Sequence, residues 1–329
     1  MHPLNEPLTF SPILKRIIWG GRRLGERLGK SIGVGADYAE SWEFVDRTGD
    51  QSVVDHGPWT GQAVSALLKT HRRELLGRNS GFAAFPLLLK YLDCNRVLSV
   101  QVHPADEYAL KMSPPDLGKT EAWYIVEASP ESVIYAGLRE GVDRAALENA
   151  VRIGKTESVL HSFQPVAGQC VFIPAGTVHA LGDGLLVAEV QQSSDTTFRL
   201  FDWNRVDASG KERPLHIEQS LDVTDYERGP ISPQTPILCA DLWESLVSCD
   251  KFSLRRAAAL DQLNLQLTTG GDDSPVLLMV TGGVVTIAGN GWAARQISAG
   301  QTIVLPASLG VTSLELIGRE ANVLEIRLP

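Results

Sequence analysis

Along most of this chain, short runs rich in β-branched and aliphatic residues are cut by glycine, proline or aspartate. "FPLLLKYLD", "RVLSVQVH", "AWYIVE", "SVIYAGL", "QCVFIPA", "LLVAEVQQ" and "TTFRLFDW" are followed later by "SLRRAAA", "VLLMVTGGVVTIAG", "TIVLPA" and "NVLEIRL". Such runs at near-regular spacing predict a β-sandwich or barrel rather than alternating βα units. Helical periodicity is confined to a few segments. "GQAVSALLKTHRRELLG" puts Val64, Leu67, Leu68 and Leu75 on one face and stops at Gly77. "DRAALENAVRIG" opens on Asp143 as a candidate N-cap, and "TESVLHSF" predicts one more short helix.

The pattern contains an echo of itself. "GQCVFIPAG" at 168–176 resembles "GQTIVLPAS" at 300–308, and in that register His179 corresponds to Val311. Upstream, "AWYIVEASPESVIYAG" parallels "VLLMVTGGVVTIAG". The echo predicts two copies of one β-plan, the second without its polar residue, so that the chemistry belongs to the first. "DYERGPISPQTPIL" (225–238), rich in proline, marks a boundary. The expected division is residues 1–230 as a catalytic domain with N-terminal strands and helices, and 231–329 as a degenerate C-terminal β domain.

Composition narrows the classes. The chain has 329 residues, enough for one large or two modest domains, and its formal charge of −9 argues against a general nucleic-acid or anionic-membrane surface. A few local cations could still bind a small anion. Cys94, Cys170, Cys239 and Cys249 form no C-x-x-C pair, which predicts free thiols in a reducing compartment. The first residues lack the basic-then-apolar pattern of a signal peptide, and no apolar stretch approaches the ~20 residues of a membrane span. A cytoplasmic protein is expected.

Candidate chemistry centres on "GQCVFIPAGTVHALGDG". A lone histidine on an apolar strand is more often a satisfied core residue than a ligand. Here, however, Gly168, Pro174, Gly176 and His179 fit the second signature of cupin barrels, in which a strand ends in a Pro-x-Gly turn and re-enters with the histidine facing inward. Neighbouring strands offer partners. In "LSVQVHPADEY", Gln101 and His103 flank Val102 and share one face. Glu121 opens the run in "LGKTEAWYIV". Two imidazoles, a carboxylate and an amide oxygen make a mixed N/O set that suits zinc with a position open for substrate. The glycines of "GGRRLG" and "GKSIGVG" fit no phosphate-loop fingerprint and read as turns.

Taken together, "FPLLLKYLD…LSVQVHPADEYA", "GKTEAWYI", "FIPAGTVHALGDGLLVAEVQQSSDTTFRLFDWNR" and "RPLHIEQSLDV" resemble the type I phosphomannose isomerases in their short bacterial form. "LTFSPILKRIIWGGRRLGERLG" and "AESWEFVD" are similar to that family's opening, and the resemblance fades beyond about residue 225. It implies a mainly β fold of two cupin-type (jelly-roll) barrels, with a few helices on the N-terminal half. It also implies a zinc-dependent aldose–ketose isomerase interconverting mannose 6-phosphate and fructose 6-phosphate through an enediol, with one Zn2+ per chain.

By position, Gln101, His103, Glu121 and His179 match the family's metal ligands. Arg199 matches its active-site arginine, with Glu189 and Asp195 as acidic neighbours and Lys90 and Lys119 as pocket lysines. Glu189 shares a strand face with Gln191 and is a candidate base, though a lysine or metal-bound water would serve, and its alternative role is to orient Arg199 or Lys90. Arg199, Glu189 and Lys119 are the catalytic candidates; Lys90, Asp195 and Arg199 are the substrate-binding ones. Phe198 stands where tyrosine is common and Ala122 where cysteine is common, and the inserted helical domain of longer relatives is missing. The expected partner is a sugar phosphate, with no nucleic acid or membrane, in a monomer or weak homodimer. Two competing readings are a sugar-phosphate-binding cupin without catalysis and an iron-dependent cupin oxygenase.

Overall fold

A computed structural model describes residues 3–206, 210–269 and 274–329, and the chain divides into two compact units. One comprises residues 17–21 and 92–234; the other comprises 1–16, 22–91 and 235–329. The chain thus passes back to the other unit between Gln234 and Thr235, and most of the N-terminal residues cluster with the C-terminal strands.

In the unit of residues 92–234 the periodic runs become β1 (Val100–Val102), β2 (Glu121–Ala128), β3 (Ile134–Leu138), β4 (Leu160–Phe163), β5 (Cys170–Ile173), β6 (His179–Leu181), β7 (Leu185–Gln192) and β8 (Phe198–Phe201). They form two antiparallel layers, β5–β2–β7 and β4–β3–β6–β1–β8. β2, β5 and β7 are nearly continuous apolar runs, as strands covered on both faces require. Val100, Val102, Leu138, Leu160, Val178, Ala180 and Leu200 form a buried cluster on the second layer. A helix, α2, covers part of this cluster. It follows α1 (Val64–Leu76), which belongs to the other unit and ends at Gly77. α2 (Arg144–Arg152) starts where the Asp143 carboxylate accepts the Ala146 N–H at 2.8 Å, the capping read from the sequence. α3 (Ile217–Val223) buries Ser220 and Leu221. The helix expected over "TESVLHSF" is only a 3-10 turn, Thr156–Val159. From Leu160 the chain is extended, because Leu160 pairs with Leu138 and Phe163 with Ile134 on β3.

The other unit repeats this plan. Its strands β9 (Gln262–Thr268), β10 (Val276–Gly282), β11 (Val284–Gly289), β12 (Trp292–Ser298), β13 (Thr302–Leu305), β14 (Val311–Ile317) and β15 (Asn322–Arg327) carry the orders β13–β10–β15 and β9–β14–β11–β12. Strand for strand these match β5–β2–β7 and β1–β6–β3–β4. The mainly β, two-copy cupin-type fold is therefore explicit in the pairing. The single run "VLLMVTGGVVTIAG" divides into β10 and β11 at Gly282 and Gly283, the latter at φ +61°. Ile287, Leu305, Leu314 and Val323 are among the residues filling the core between the layers.

The turn that delivers His179 depends on one glycine. Gly176 sits at φ +87°, where a side chain is strained, and a Cβ there would come within 3.1 Å of the Val223 carbonyl oxygen and of the Asp225 Cβ. Its N–H donates to the His103 carbonyl at 2.8 Å, tying the turn to the end of β1. Gly176→Ala is expected to cost about 1–3 kcal/mol of stability, readable as a lower urea midpoint with unchanged slope. An unaltered midpoint would contradict the strain assigned to this turn.

Candidate metal centre

Two rows of side chains, one from each layer, define the site. Across β6, β1 and β8, His179 pairs with Gln101 and Gln101 with Arg199. Across β5, β2 and β7, Ile173 pairs with Glu121 and Glu121 with Gln191. Residues in register share a sheet face, so each row points one way. The rows meet where Glu121 Oε1 lies 3.3 Å from His179 Nε2 and its Oε2 lies 3.6 Å from His103 Nε2. One ligand atom from each of His103, Glu121 and His179 falls within 4.8 Å of the others, and all three residues are buried. Opposite His179, Ala136 on β3 leaves room that a larger side chain would fill.

The histidines are set up as neutral donors of a lone pair. His179 Nδ1–H donates to the Thr177 carbonyl at 2.9 Å, and His103 Nδ1–H donates to the Thr196 carbonyl at 3.0 Å. A carbonyl can only accept, so each Nδ1 carries a proton, and in the neutral ring each Nε2 then offers its lone pair to the cluster. Lys119 Nζ approaches His103 Nε2 at 3.2 Å and Glu121 Oε2 at 3.4 Å. The Gln101 amide meets His179 Nε2 at 3.3 Å. A turn about its terminal bond would bring the amide oxygen to that side. Glu121 Oε2 is buried and makes no hydrogen bond. Leaving a buried carboxylate oxygen so poorly satisfied costs on the order of 1–3 kcal/mol, a cost that a cation would remove. The set fits a divalent metal held by two imidazole nitrogens, one carboxylate and one amide oxygen.

Trp123, two residues beyond Glu121, packs edge-on against His179 with ring centroids 5.2 Å apart, and Glu189 pairs with Trp123 in register. Glu189 therefore faces the interior with Glu121, and its negative charge acts on His179. Arg199 is half-buried. Its Nη1–H donates to the Pro214 carbonyl at 2.9 Å, and its buried Nε makes no hydrogen bond. Burial, and next Arg213, pull the guanidinium below its ordinary value, while Asp202 opposes them. The Arg199 backbone N–H donates to His216 Nδ1 at 3.1 Å.

The remaining expected site residues fall in different places. Asp195 is exposed on the loop between β7 and β8. Lys90 is buried on the strand Leu87–Cys94, within the other compact unit, 3.4 Å from Glu40 Oε2. Phe198 packs against Tyr108, and Ala122 alternates to the face opposite Glu121. Trp123, Thr177 and Thr196 were not singled out by sequence. Trp123 was accessible through its two-residue spacing from Glu121, whereas the two carbonyls carry no side-chain signal.

In the C-terminal copy the equivalent positions follow from the same pairings. By the sequence echo Val311 stands for His179 and its partner Thr268 for Gln101, but both are exposed; Val276 stands for Glu121 and is buried, and Arg327 stands for Gln191. Threonine and valine replace the donors there. Glu325 stands for Glu189, and its carboxylate is bound by Arg255 and Arg327.

A two-layered β-barrel carrying an inward His–Glu–His set at these strand positions defines a cupin-type protein with a candidate metal site. The family model "Phosphomannose isomerase type I, catalytic domain" matches residues 8–131. Mannose-6-phosphate isomerase ManA of Bacillus subtilis is 35% identical over 94% of this chain and 96% of its own. A mannose-6-phosphate isomerase of Streptococcus mutans is 41% identical over 66% of this chain and 67% of its own. The crystal structure of a Bacillus subtilis mannose 6-phosphate isomerase superposes with a TM-score of 0.85 at 28% identity, covering 98% of this chain and 99% of that one. The chain belongs to the type I phosphomannose isomerase family of enzymes.

Burial holds His179 down to about 4; the Thr177 carbonyl opposes this, Lys119 adds to it, and Glu189 opposes it. Between its ordinary value and 4 the unfolded chain takes up a proton that the folded one refuses. The unfolded state then binds more protons, so stability falls as pH is lowered. The metal-free protein is expected to lose on the order of 3 kcal/mol from this residue between about pH 7 and pH 4. His179→Gln should flatten that slope in urea melts across the range. Parallel slopes would contradict a buried neutral imidazole.

Proposed function

We propose that this chain is a cytoplasmic, zinc-dependent isomerase that interconverts mannose 6-phosphate and fructose 6-phosphate through an enediol. The buried His103–Glu121–His179 cluster carries this reading, in a chain 35% identical to ManA of Bacillus subtilis over nearly its whole length. Gln101, His103, Glu121 and His179 would hold the ion. Zinc, when bound, supplies Lewis-acid stabilisation of negative charge developing on the sugar's C1 and C2 oxygens.

The protein's own groups perform the rest. The reaction moves a proton between adjacent carbons, so one base must reach both from a single face. Glu189 is buried and faces the interior beside Trp123, where its carboxylate form would serve as that base. Lys119 presents an ammonium group beside Glu121, able to hold an anionic oxygen. Arg199 offers a planar fork for a phosphate or a sugar hydroxyl. Lys119 and Arg199 are the groups suited to an anionic, phosphorylated substrate.

The test is fructose 6-phosphate formation from mannose 6-phosphate by protein as purified, chelated, and chelated then resupplied with zinc. Chelation is expected to lower activity roughly 1000-fold or more, because Lewis-acid stabilisation is worth several kcal/mol, and zinc should restore it. Zinc binding without turnover at any zinc level would overturn the isomerase reading in favour of a binding cupin. Recovery with ferrous ion alone would overturn the zinc assignment.

A further inference from the structure

The loop that joins β7 to β8 carries the carbonyl on which His103 depends, and that loop is fastened by a residue outside the proposed ligand set. One oxygen of Asp116, Oδ2, accepts the Ser194 hydroxyl at 3.1 Å, the Asp195 N–H at 3.3 Å and the Thr196 hydroxyl at 2.9 Å. Its other oxygen accepts the Leu117 N–H at 2.9 Å. The Thr196 carbonyl, on the residue so gripped, accepts His103 Nδ1–H at 3.0 Å. From the other side Gln191 Nε2 donates to the Ser194 carbonyl at 2.7 Å and the Gln192 carbonyl at 2.8 Å. A carboxylate accepting three donors from consecutive residues fixes a turn more firmly than neutral bonds would, because each is charge-assisted.

We propose that Asp116 is a positioning residue for the metal centre: by holding residues 194–196 it aims the Thr196 carbonyl at His103 and keeps that ring in the Nδ1–H form, with the Nε2 lone pair turned toward Glu121. The inference rests on the reading of His103 as a metal ligand. Asp116 touches neither metal nor substrate in this account. It acts through one backbone carbonyl, the kind of outer partner whose loss weakens metal affinity about 10–100-fold. Without it the turn keeps only the Gln191 amide and its own short-range bonds, the Thr196 N–H to the Ser194 hydroxyl and the Ser194 N–H to the Gln192 carbonyl; His103 then rotates more freely, and the alternative tautomer, which presents N–H to the site, becomes populated.

The experiment measures zinc affinity of the full-length protein by competition with a fluorescent chelator, together with the ring-nitrogen NMR signature of His103 in the metal-free protein. Asp116→Ala is expected to weaken zinc binding about 10–100-fold. It should also turn the single Nδ1–H pattern of His103 into a mixture, and excess zinc should recover activity. Thr196→Val removes one of the three donors while sparing the carbonyl, so it should weaken zinc binding by only a few-fold, and it serves if Asp116→Ala does not fold. Asp143→Ala, which uncaps α2 and lies outside the site, controls for general loss of stability and should leave zinc affinity unchanged. Unchanged zinc affinity and an unchanged His103 signature in Asp116→Ala overturn the proposal while leaving the metal reading intact. Equal weakening by Asp143→Ala overturns it as well. Wild-type protein that binds no zinc overturns the metal reading itself, and this inference with it.

Discussion

The alignment of His179 with Gln101, continued to Arg199 on the next strand, is the constraint on which the site depends. Side chains alternate along a strand, so a slip of one residue between β6 and β1 would turn Gln101 away and bring Val100 or Val102 opposite the histidine. The Gly176 turn sets where β6 begins, and its N–H bond to the His103 carbonyl ties that start to β1. One backbone contact thus fixes both histidines relative to each other. Glu121 is placed independently, by its register between Ile173 and Gln191 on the other layer, and the two layers present their polar rows to a shared interior. Lys119 and Glu189 join them there, so that the buried charged groups act on one another.

Much of this was legible because it is local. The Pro-x-Gly corner before His179, the two-residue spacing of Gln101 and His103, and Glu121 opening an apolar run are short-range patterns that a strand converts directly into facing. Asp143 and Gly77 likewise mark helix ends through chemistry confined to one turn. The features that escaped join distant segments. Asp116 reaches residues 194–196 across most of the first barrel, and the two carbonyls that orient the histidines have no side chain to betray them. "TESVLHSF" looked helical by composition, yet pairing of Leu160 and Phe163 with β3 outweighed that weak preference. The N-terminal segments also gave no hint of their associations: Leu8 pairs with Val304, almost the full chain away.

The two barrels show how much of the plan concerns folding and how much concerns chemistry. Strand order and register are kept in both, down to the Gly-Gln and Pro-Ala that bracket β5 and β13. What changes is the polar set: by the sequence echo, glutamine, glutamate and histidine give way to threonine and two valines, of which only Val276 is buried. Val276 packs into the second barrel's apolar core, whereas Val311 lies 48% exposed at its surface.

One carboxylate was not traded away. Glu325 stands where Glu189 stands in the first copy, but Arg255 and Arg327 clasp it, and Arg327 itself replaces Gln191. The second barrel binds that carboxylate with its own arginines, whereas in the first Glu189 shares a sheet face with Glu121 beside Trp123. One strand position thus serves in one barrel as an internal ion pair that ties neighbouring strands together, and in the other as a carboxylate turned to the polar interior.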